Sequence, residues 1–244
     1  MRNLKITLSY DGTNYGGWQR QINAMTVQEM VEKALKAITG ESIAIHGSGR
    51  TDSGVHALGQ VMHFKTESSI PTERFALALN SKLPEDIRAL RAQEMPEAFH
   101  SRFSAKSKAY FYQIDRDTVA SPFYRRYAWH LSKPLDLTAM DKAKDVFLGE
   151  HDYAAFMATG SCVQHTIRTI HRLELTEHEQ LLRIHIEGNG FLYNMVRIMV
   201  GTLVEIGHGK IKAENLPKII NSKNRKLAGA TAPAKGLFLK EVYY

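Results

Sequence analysis

The sequence predicts an α+β fold of two similar halves, and three observations predict it. Apolar residues alternate with polar ones in segments at the start, middle and end of the chain. Between them lie capped amphipathic segments with helical spacing. The grammar of strand, helix, strand seen before residue 100 recurs after it. A chain of 244 residues suits one large domain or two compact ones. The junction falls near residues 100–106, giving an N-terminal α+β domain over 1–103 and a C-terminal one over 104–244.

Leu4, Ile6, Leu8 and Tyr10 share one parity and Lys5, Thr7 and Ser9 the other, the pattern of a half-buried strand. The run Asp11 to Gly17 is turn chemistry. A helix follows. Thr26 and Glu29 form a capping box, Val27, Met30, Val31, Ala34, Leu35 and Ile38 make one apolar stripe, and Gly40 ends it. Ile43 to His46 reads as a second strand and Val61 to Phe64 as a third, with a glycine-rich loop, Gly47 to His56, between them. A short helix with Phe75 and Leu79 one turn apart follows Pro71. In the second half, Lys108 to Ile114 is a strand with Tyr110, Tyr112 and Ile114 on one face. Asp136 caps a helix through Met140, Ala143 and Phe147, closed by Gly149. Ile167–Leu175 and Leu182–Ile186 alternate as an antiparallel pair around Glu177-His178-Glu179. A long apolar helix runs from about Leu192 to Ile206, stopped by Gly207, and Leu237 to Leu239 with Val242 ends the chain as a strand.

The composition, 43% hydrophobic and 23% charged, is that of a soluble globular protein. The single cysteine, Cys162, excludes an intramolecular disulfide and a cysteine-based zinc cluster, and reads as an inert thiol of a reducing cytoplasm. The N-terminus runs straight into a strand pattern, so no signal peptide is expected. The most apolar stretch, Phe191 to Ile206, holds Asn194, Arg197 and Glu205, and it is too short for a membrane span of about 20 residues. The net charge of +7 favours a polyanionic partner.

Three features could carry chemistry. In the loop around Asp52, Gly47, Gly49 and Gly54 allow close backbone approach, and Arg50 and Asp52, two apart, can face one cleft. The plain alternative is a surface hairpin whose Arg and Asp pair in solvent. The loop is neither a Walker A motif nor a dinucleotide fingerprint. Asp52-Ser53-Gly54 matches the aspartic-protease triplet; with no second copy in the chain, that alternative needs the second carboxylate from a dimer mate, on a fold dominated by strands, whereas this chain is rich in helices. The second feature is a basic and aromatic tract. Arg102, Lys106, Lys108, Arg116, Arg125, Arg126 and Lys133 interleave with Phe103, Tyr110, Phe111, Tyr112, Phe123, Tyr124, Tyr127 and Trp129. Cations reach phosphates and exposed rings stack on bases, whereas core rings and a solvated charged face are the alternative. A weaker cluster holds Lys210, Lys212, Lys218, Lys223, Arg225 and Lys226. The third feature is Arg197, set among Val196, Ile198, Met199 and Val200. A buried guanidinium needs a carboxylate or a polar cleft, unless that face reaches solvent. His56 and His63 read as loop and strand residues, with no compact metal-ligand spacing.

Gly49-Arg50-Thr51-Asp52-Ser53-Gly54-Val55-His56-Ala57 resembles the catalytic loop of the bacterial tRNA pseudouridine synthase A (TruA) family. Tyr10-Asp11-Gly12-Thr13 with Gly16-Gly17-Trp18-Gln19 resembles its N-terminal signature, and Lys106 to Tyr112 its tyrosine strand. Gly190 to Arg197 resembles its arginine helix, and Ala232-Pro233-Ala234-Lys235-Gly236-Leu237 its C-terminal motif. These run in family order along nearly the whole chain. The resemblance implies two RNA-recognition-like (ferredoxin-like) α/β halves with a joined, mainly antiparallel sheet flanked by helices. It implies a cytoplasmic homodimer, with no membrane partner, whose positive cleft holds tRNA. The implied reaction turns uridine into pseudouridine at positions 38, 39 and 40 of the anticodon arm, with no metal and no cofactor.

Carried onto this sequence, the resemblance makes Asp52 the nucleophile at the sugar–base junction. Arg197 becomes the cation that favours its ionised form, and Tyr110 a ring that stacks on the target uracil and assists loss of the C5 proton. Arg50 fills the space left by a flipped base or holds a flanking phosphate, and Leu237 forms an apolar wall. Attack of Asp52 on C6 of the base, attack on C1′ of the ribose, and elimination through a glycal are all compatible with these residues. A non-catalytic RNA-binding protein is the other class that the tract alone would allow.

Overall fold

The computed structural model describes residues 1–160 and 163–244; Cys162, the expected inert thiol, lies outside the described residues. Contacts divide the chain into two compact units, Met1–Lys106 with Phe238–Tyr244, and Ser107–Leu237. The first unit contains β1 (Arg2–Tyr10), α1 (Val27–Thr39), β2 (His46–Gly47), β3 (His56–Thr66), α2 (Thr72–Asn80) and β4 (Ile87–Met95). The second contains β5 (Ser107–Asp115), β6 (Trp129–His130), α3 (Leu137–Lys144), β7 (Gly149–Asp152), β8 (Ile167–His178), β9 (Leu181–Gly188), α4 (Met195–Gly207) and α5 (Leu216–Ser222). The final strand, β10, spans Leu237–Tyr243. Each unit is an α/β half with a mainly antiparallel sheet flanked by helices, the fold class that the sequence predicts.

In the first unit the chain runs strand–helix–strand–strand–helix–strand, and β4, β1 and β3 lie side by side, antiparallel. Leu4, Ile6, Leu8 and Tyr10 of β1 are all buried, as their parity predicts. Helix α1 buries Val27, Val31, Ala34 and Leu35, and Phe75 of α2 meets Phe64 of β3 with ring centroids 5.7 Å apart. Thr26 accepts the Glu29 N–H at 3.4 Å, but the Glu29 carboxylate pairs with Lys33 at 2.7 Å, so only half of the expected capping box forms. Gly40 closes α1 at φ 75°, where a side chain would be strained.

Strands β2, β3 and β4 differ from expectation. The second shrinks to His46–Gly47, while β3 reaches back to His56 and takes in the end of the expected loop. Strand β4 lacks a clean apolar alternation because it is an edge strand whose outward positions face solvent. The chain's end returns to the first unit. Phe238 and Leu239 pair in parallel with His56 and Ala57, and the Phe238 ring stacks on His56 at 4.6 Å. A Cβ on Gly59 would lie 2.5 Å from the Lys240 carbonyl, so only glycine lets the backbones come this close.

In the second unit β5, β9, β8 and β7 lie in that order, all antiparallel, with β6 parallel to β5. Asp136 caps α3 by accepting the Ala139 N–H at 2.9 Å, and the helix finishes in a 3-10 turn through the buried Phe147. The β8–β9 turn falls at Glu179, which takes a left-handed φ of 54°. Strand β5 is buried on both faces, so Phe111 and Gln113 are covered as well as Tyr110, Tyr112 and Ile114.

His63 of β3 sits within ring contact of His46 (5.1 Å) and His100 (4.5 Å). Burial first, then the charges that His100 and His46 would carry, hold its imidazole down at about 4. The folded state therefore keeps this ring neutral, whereas the unfolded chain takes up a proton near pH 6.5. Its share of stability is complete above about pH 6.5 and is lost as pH falls from there toward about 4. In thermal melts across that window, Tm should drop less steeply for His63→Asn, whose amide oxygen can still accept the Ser101 N–H. Parallel slopes for the two proteins would remove His63 as the cause.

Candidate active site

Asp52 lies in the segment that leads into β3, and two stretches of backbone hold it. Trp18 N–H donates to the Thr51 carbonyl at 3.1 Å, and Gly54 N–H donates to the Tyr15 carbonyl at 3.3 Å. The Asp52 carbonyl accepts the Val55 N–H at 3.1 Å, closing a tight turn on the carboxylate-bearing residue, with Gly54 at φ 76°. Such packing requires glycines on the facing loop. A Cβ on Gly17 would come within 2.5 Å of the Thr51 carbonyl, and one on Gly12 within 2.0 Å of the Val55 carbonyl. The stretch that reads as a signature from Tyr10 to Gln19 thus acts as the backbone mould of the Asp52 turn.

Below the turn lies a buried polar network. The hydroxyls of Tyr10 and Thr51 share a 2.8 Å hydrogen bond. Gln60, fully buried on β3, donates to the Gly49 carbonyl at 3.0 Å and accepts from the Ser48 hydroxyl at 2.7 Å. Burial pushes the Tyr10 phenol up to about 12, so it stays a neutral hydroxyl at working pH. His56 is buried at the start of β3 and accepts the Gly12 N–H at Nδ1, 3.1 Å away. Arg50 is exposed, and its Nε donates to Gln19 at 3.2 Å. Both ends of the Asp52 segment are thereby fixed, while Asp52 itself remains part-exposed.

The other expected site residues, Tyr110, Arg197 and Leu237, belong to the second unit. Tyr110 is 8% exposed on β5 and meets Phe191 edge-on at 5.1 Å. Arg197 sits on the first turn of α4. Its Nε donates to the Ala232 carbonyl at 2.7 Å and its Nη1 to Asn194 Oδ1 at 2.7 Å, while Ala232 N–H returns to the Arg197 carbonyl at 3.1 Å. Asn194 takes a left-handed φ of 59°, a conformation asparagine tolerates better than most residues. Small residues let the 228–236 segment lie on α4: a Cβ on Gly201 would fall 1.7 Å from the Ala230 carbonyl. Thr202 accepts the Gly229 N–H at 2.9 Å. Tyr112 donates to the Pro233 carbonyl at 2.8 Å, and Gly236 lies against its ring. Burial raises the Tyr112 phenol above its ordinary value, with the nearby Arg197 charge acting in the opposite sense. Leu237 is buried at the start of β10.

The basic tract splits as its two readings allow. Tyr110, Phe111 and Tyr112 are core, and Arg116 is committed to Glu177 at 2.7 Å. Arg102, Phe103, Lys106, Phe123, Tyr124, Arg125, Arg126 and Lys133 are exposed. In the C-terminal cluster, Lys223 pairs with Asp152 at 2.8 Å, and Arg225 holds the carbonyls of Ala228 and Gly229.

The sequence reading missed Tyr10, Gln60, Asn194 and the Ala232 carbonyl as supports. Gln60, a polar residue just before the apolar run Val61-Met62, and Asn194, a polar residue within the apolar stretch Phe191 to Ile206, carried a visible signal. Among the described residues no group of three or more His, Cys, Asp or Glu is placed to hold a metal ion. No helix among them is long and apolar enough to cross a membrane.

A family model described as tRNA pseudouridine synthase matches residues 6–104 and 143–244. The tRNA pseudouridine synthases A of Acetivibrio thermocellus and Thermoanaerobacter sp. (strain X514) are each 50% identical to this chain over 244 residues, covering 100% of both sequences. That of Clostridium acetobutylicum is 49% identical over the same span. A match of this reach includes the Asp52 turn, its glycine mould and the Arg197 helix, so the chain belongs to the tRNA pseudouridine synthase family.

Proposed function

We propose that the protein isomerises uridine to pseudouridine in tRNA, at positions 38, 39 and 40 of the anticodon arm, with Asp52 as the nucleophile. The observation that carries this reading is the Asp52 turn, fixed through the backbone on both sides while its side chain stays part-exposed. Rigid placement of one carboxylate is what attack at a sugar–base junction needs. In the reaction the N1–C1′ bond breaks, the uracil turns, and a C5–C1′ bond forms. The C5 proton leaves and N1 gains one, so nothing is oxidised or reduced. Tyr110 stacks on the target uracil and assists loss of the C5 proton, Arg50 holds the vacated space or a flanking phosphate, and Leu237 walls the pocket. The working form is a cytoplasmic homodimer. A tRNA tritiated at uracil C5 tests the activity by release of tritium, and mapping of the product tests the three positions. Binding without release would favour a non-catalytic RNA-binding protein.

Arg197 is the proposed cation that keeps the Asp52 carboxylate ionised during turnover. Its hydrogen bonds to Asn194 and Ala232 support that role, because they fix the guanidinium without neutralising it. For Arg197→Met, kcat should fall by about 10²-fold or more, the scale of one lost electrostatic stabiliser, with a much smaller change in tRNA affinity. Equal losses in both would make Arg197 an ordinary phosphate contact.

A further inference from the structure

Three imidazoles, His46, His63 and His100, cluster with centroids 4.5–5.4 Å apart at the sheet of the first unit, and the Phe103 ring extends from them into solvent. His46 of β2 stacks on His63 of β3 at 5.1 Å and 26°, His63 meets His100 at 4.5 Å, and His100 meets Phe103 at 4.3 Å and 32°. Phe103, the outermost ring, is 77% exposed. A single exposed phenylalanine is ordinary. This one is held out by a turn with little freedom. Ser104 N–H donates to the His100 carbonyl at 2.9 Å, and His100 N–H donates to the Ser104 hydroxyl at 3.1 Å. His100 Nδ1 accepts the N–H groups of Arg102 (3.1 Å) and Phe103 (3.4 Å). The turn is also tied to its surroundings. Ser101 donates its hydroxyl to the His46 carbonyl at 2.7 Å and its N–H to His63 at 3.1 Å, and Tyr244 donates to the Ser101 carbonyl at 2.8 Å.

The chain that carries the ring is cationic. The Arg102 guanidinium lies 5.7 Å from the Phe103 centroid, and Arg102 and Lys106 are both exposed. From Ala98 to Ile114 the chain carries no carboxylate, and Glu97, just before, is engaged by Lys65 at 3.0 Å. One flat apolar face with cations beside it matches a nucleobase and its flanking phosphates. It falls short of a chain–chain interface, which buries about 1,200–2,000 Å² of surface with an apolar centre. Because the turn is already ordered, stacking a base on Phe103 costs little further entropy.

We propose that Phe103 is a stacking platform for an unpaired nucleobase of the bound RNA, with Arg102 and Lys106 on the adjoining phosphates. The inference rests on the reading that the protein binds tRNA and adds a contact outside the Asp52 turn. Phe103→Leu and Phe103→Trp test it in the full-length protein, by fluorescence anisotropy with labelled tRNA and by size-exclusion chromatography. Phe103→Leu should weaken binding by about tenfold, the scale of one lost base stack, without changing the slope of log affinity against log salt. Phe103→Trp should keep wild-type affinity, and its added indole emission should be quenched when tRNA binds. The double variant Arg102→Gln/Lys106→Gln should instead make the salt slope shallower. Unchanged affinity in Phe103→Leu, or an indole that tRNA does not quench, would overturn the platform. Weaker binding accompanied by a change of oligomeric state would assign the ring to a second copy of the chain and overturn it too. A wild-type protein that binds no tRNA would sink the functional reading itself.

Discussion

Asp52→Asn is expected to bind tRNA as the wild type does and to release no measurable tritium from uracil C5. The substitution swaps one carboxylate oxygen for an amide of nearly the same shape. The hydrogen bonds that hold the turn use backbone atoms here, with Val55 N–H on the Asp52 carbonyl and Trp18 N–H on the Thr51 carbonyl. The fold and the RNA surface should therefore survive, and Tm should stay close to wild type. An amide is a poor nucleophile and carries no negative charge to stabilise a developing cation at C1′. Loss of a residue that acts directly on the reacting atoms costs about 10⁴-fold or more in kcat in well-studied cases, which places the variant below detection in a release assay. A variant that keeps a tenth of wild-type turnover would remove Asp52 from the nucleophile's role. A variant that fails to bind tRNA would mean that the carboxylate, or the turn it sits in, is part of the RNA surface.

Much of the fold was legible because its elements are local in sequence. Thr26 and the Val27, Val31, Leu35 stripe mark α1 whatever surrounds them, and Leu4 to Tyr10 mark β1 by parity alone. Asp52 stood out because glycines flank it. The supports were harder to read because they are long-range. Gln60 reaches Gly49 across a loop, and Ala232 reaches Arg197 from 35 positions away. Pattern along the chain carries no information about such pairings until the topology is known. The return of β10 to β3 is of the same kind: Leu237 to Leu239 read plainly as a strand, but its neighbour did not. Strand β4 escaped for a local reason, since Ile87-Arg88-Ala89-Leu90-Arg91 puts Leu90 outward on an exposed edge and breaks the parity signal.

The glycine mould makes the second large prediction. Gly12→Ala adds one methyl group, and its carbon would stand 2.0 Å from the Val55 carbonyl oxygen and 2.6 Å from the carbonyl carbon. Those are backbone atoms, so no side chain can swing aside. The strand β1 end and the Val55 turn must separate, and the Gly12 N–H bond to His56 is strained with them. Forced overpacking of this sort costs about 1–3 kcal/mol, which for a chain of this size lowers Tm by roughly 2–12 °C. The larger consequence is positional. Val55 closes the turn on Asp52, so a shift of about 1 Å at Val55 passes to the carboxylate, and misplacement on that scale costs about 10²-fold in rate. Gly40→Ala supplies the comparison. Gly40 has open space around it but a left-handed φ of 75°, so alanine there strains the end of α1 and lowers Tm without touching the Asp52 turn. Measured together, both variants should melt early, and only Gly12→Ala should lose kcat. If Gly12→Ala turned over at the Gly40→Ala rate, the close approach of the two loops would be a packing feature alone, and the placement of Asp52 would have to come from the Gln60 and Tyr10 network beneath it.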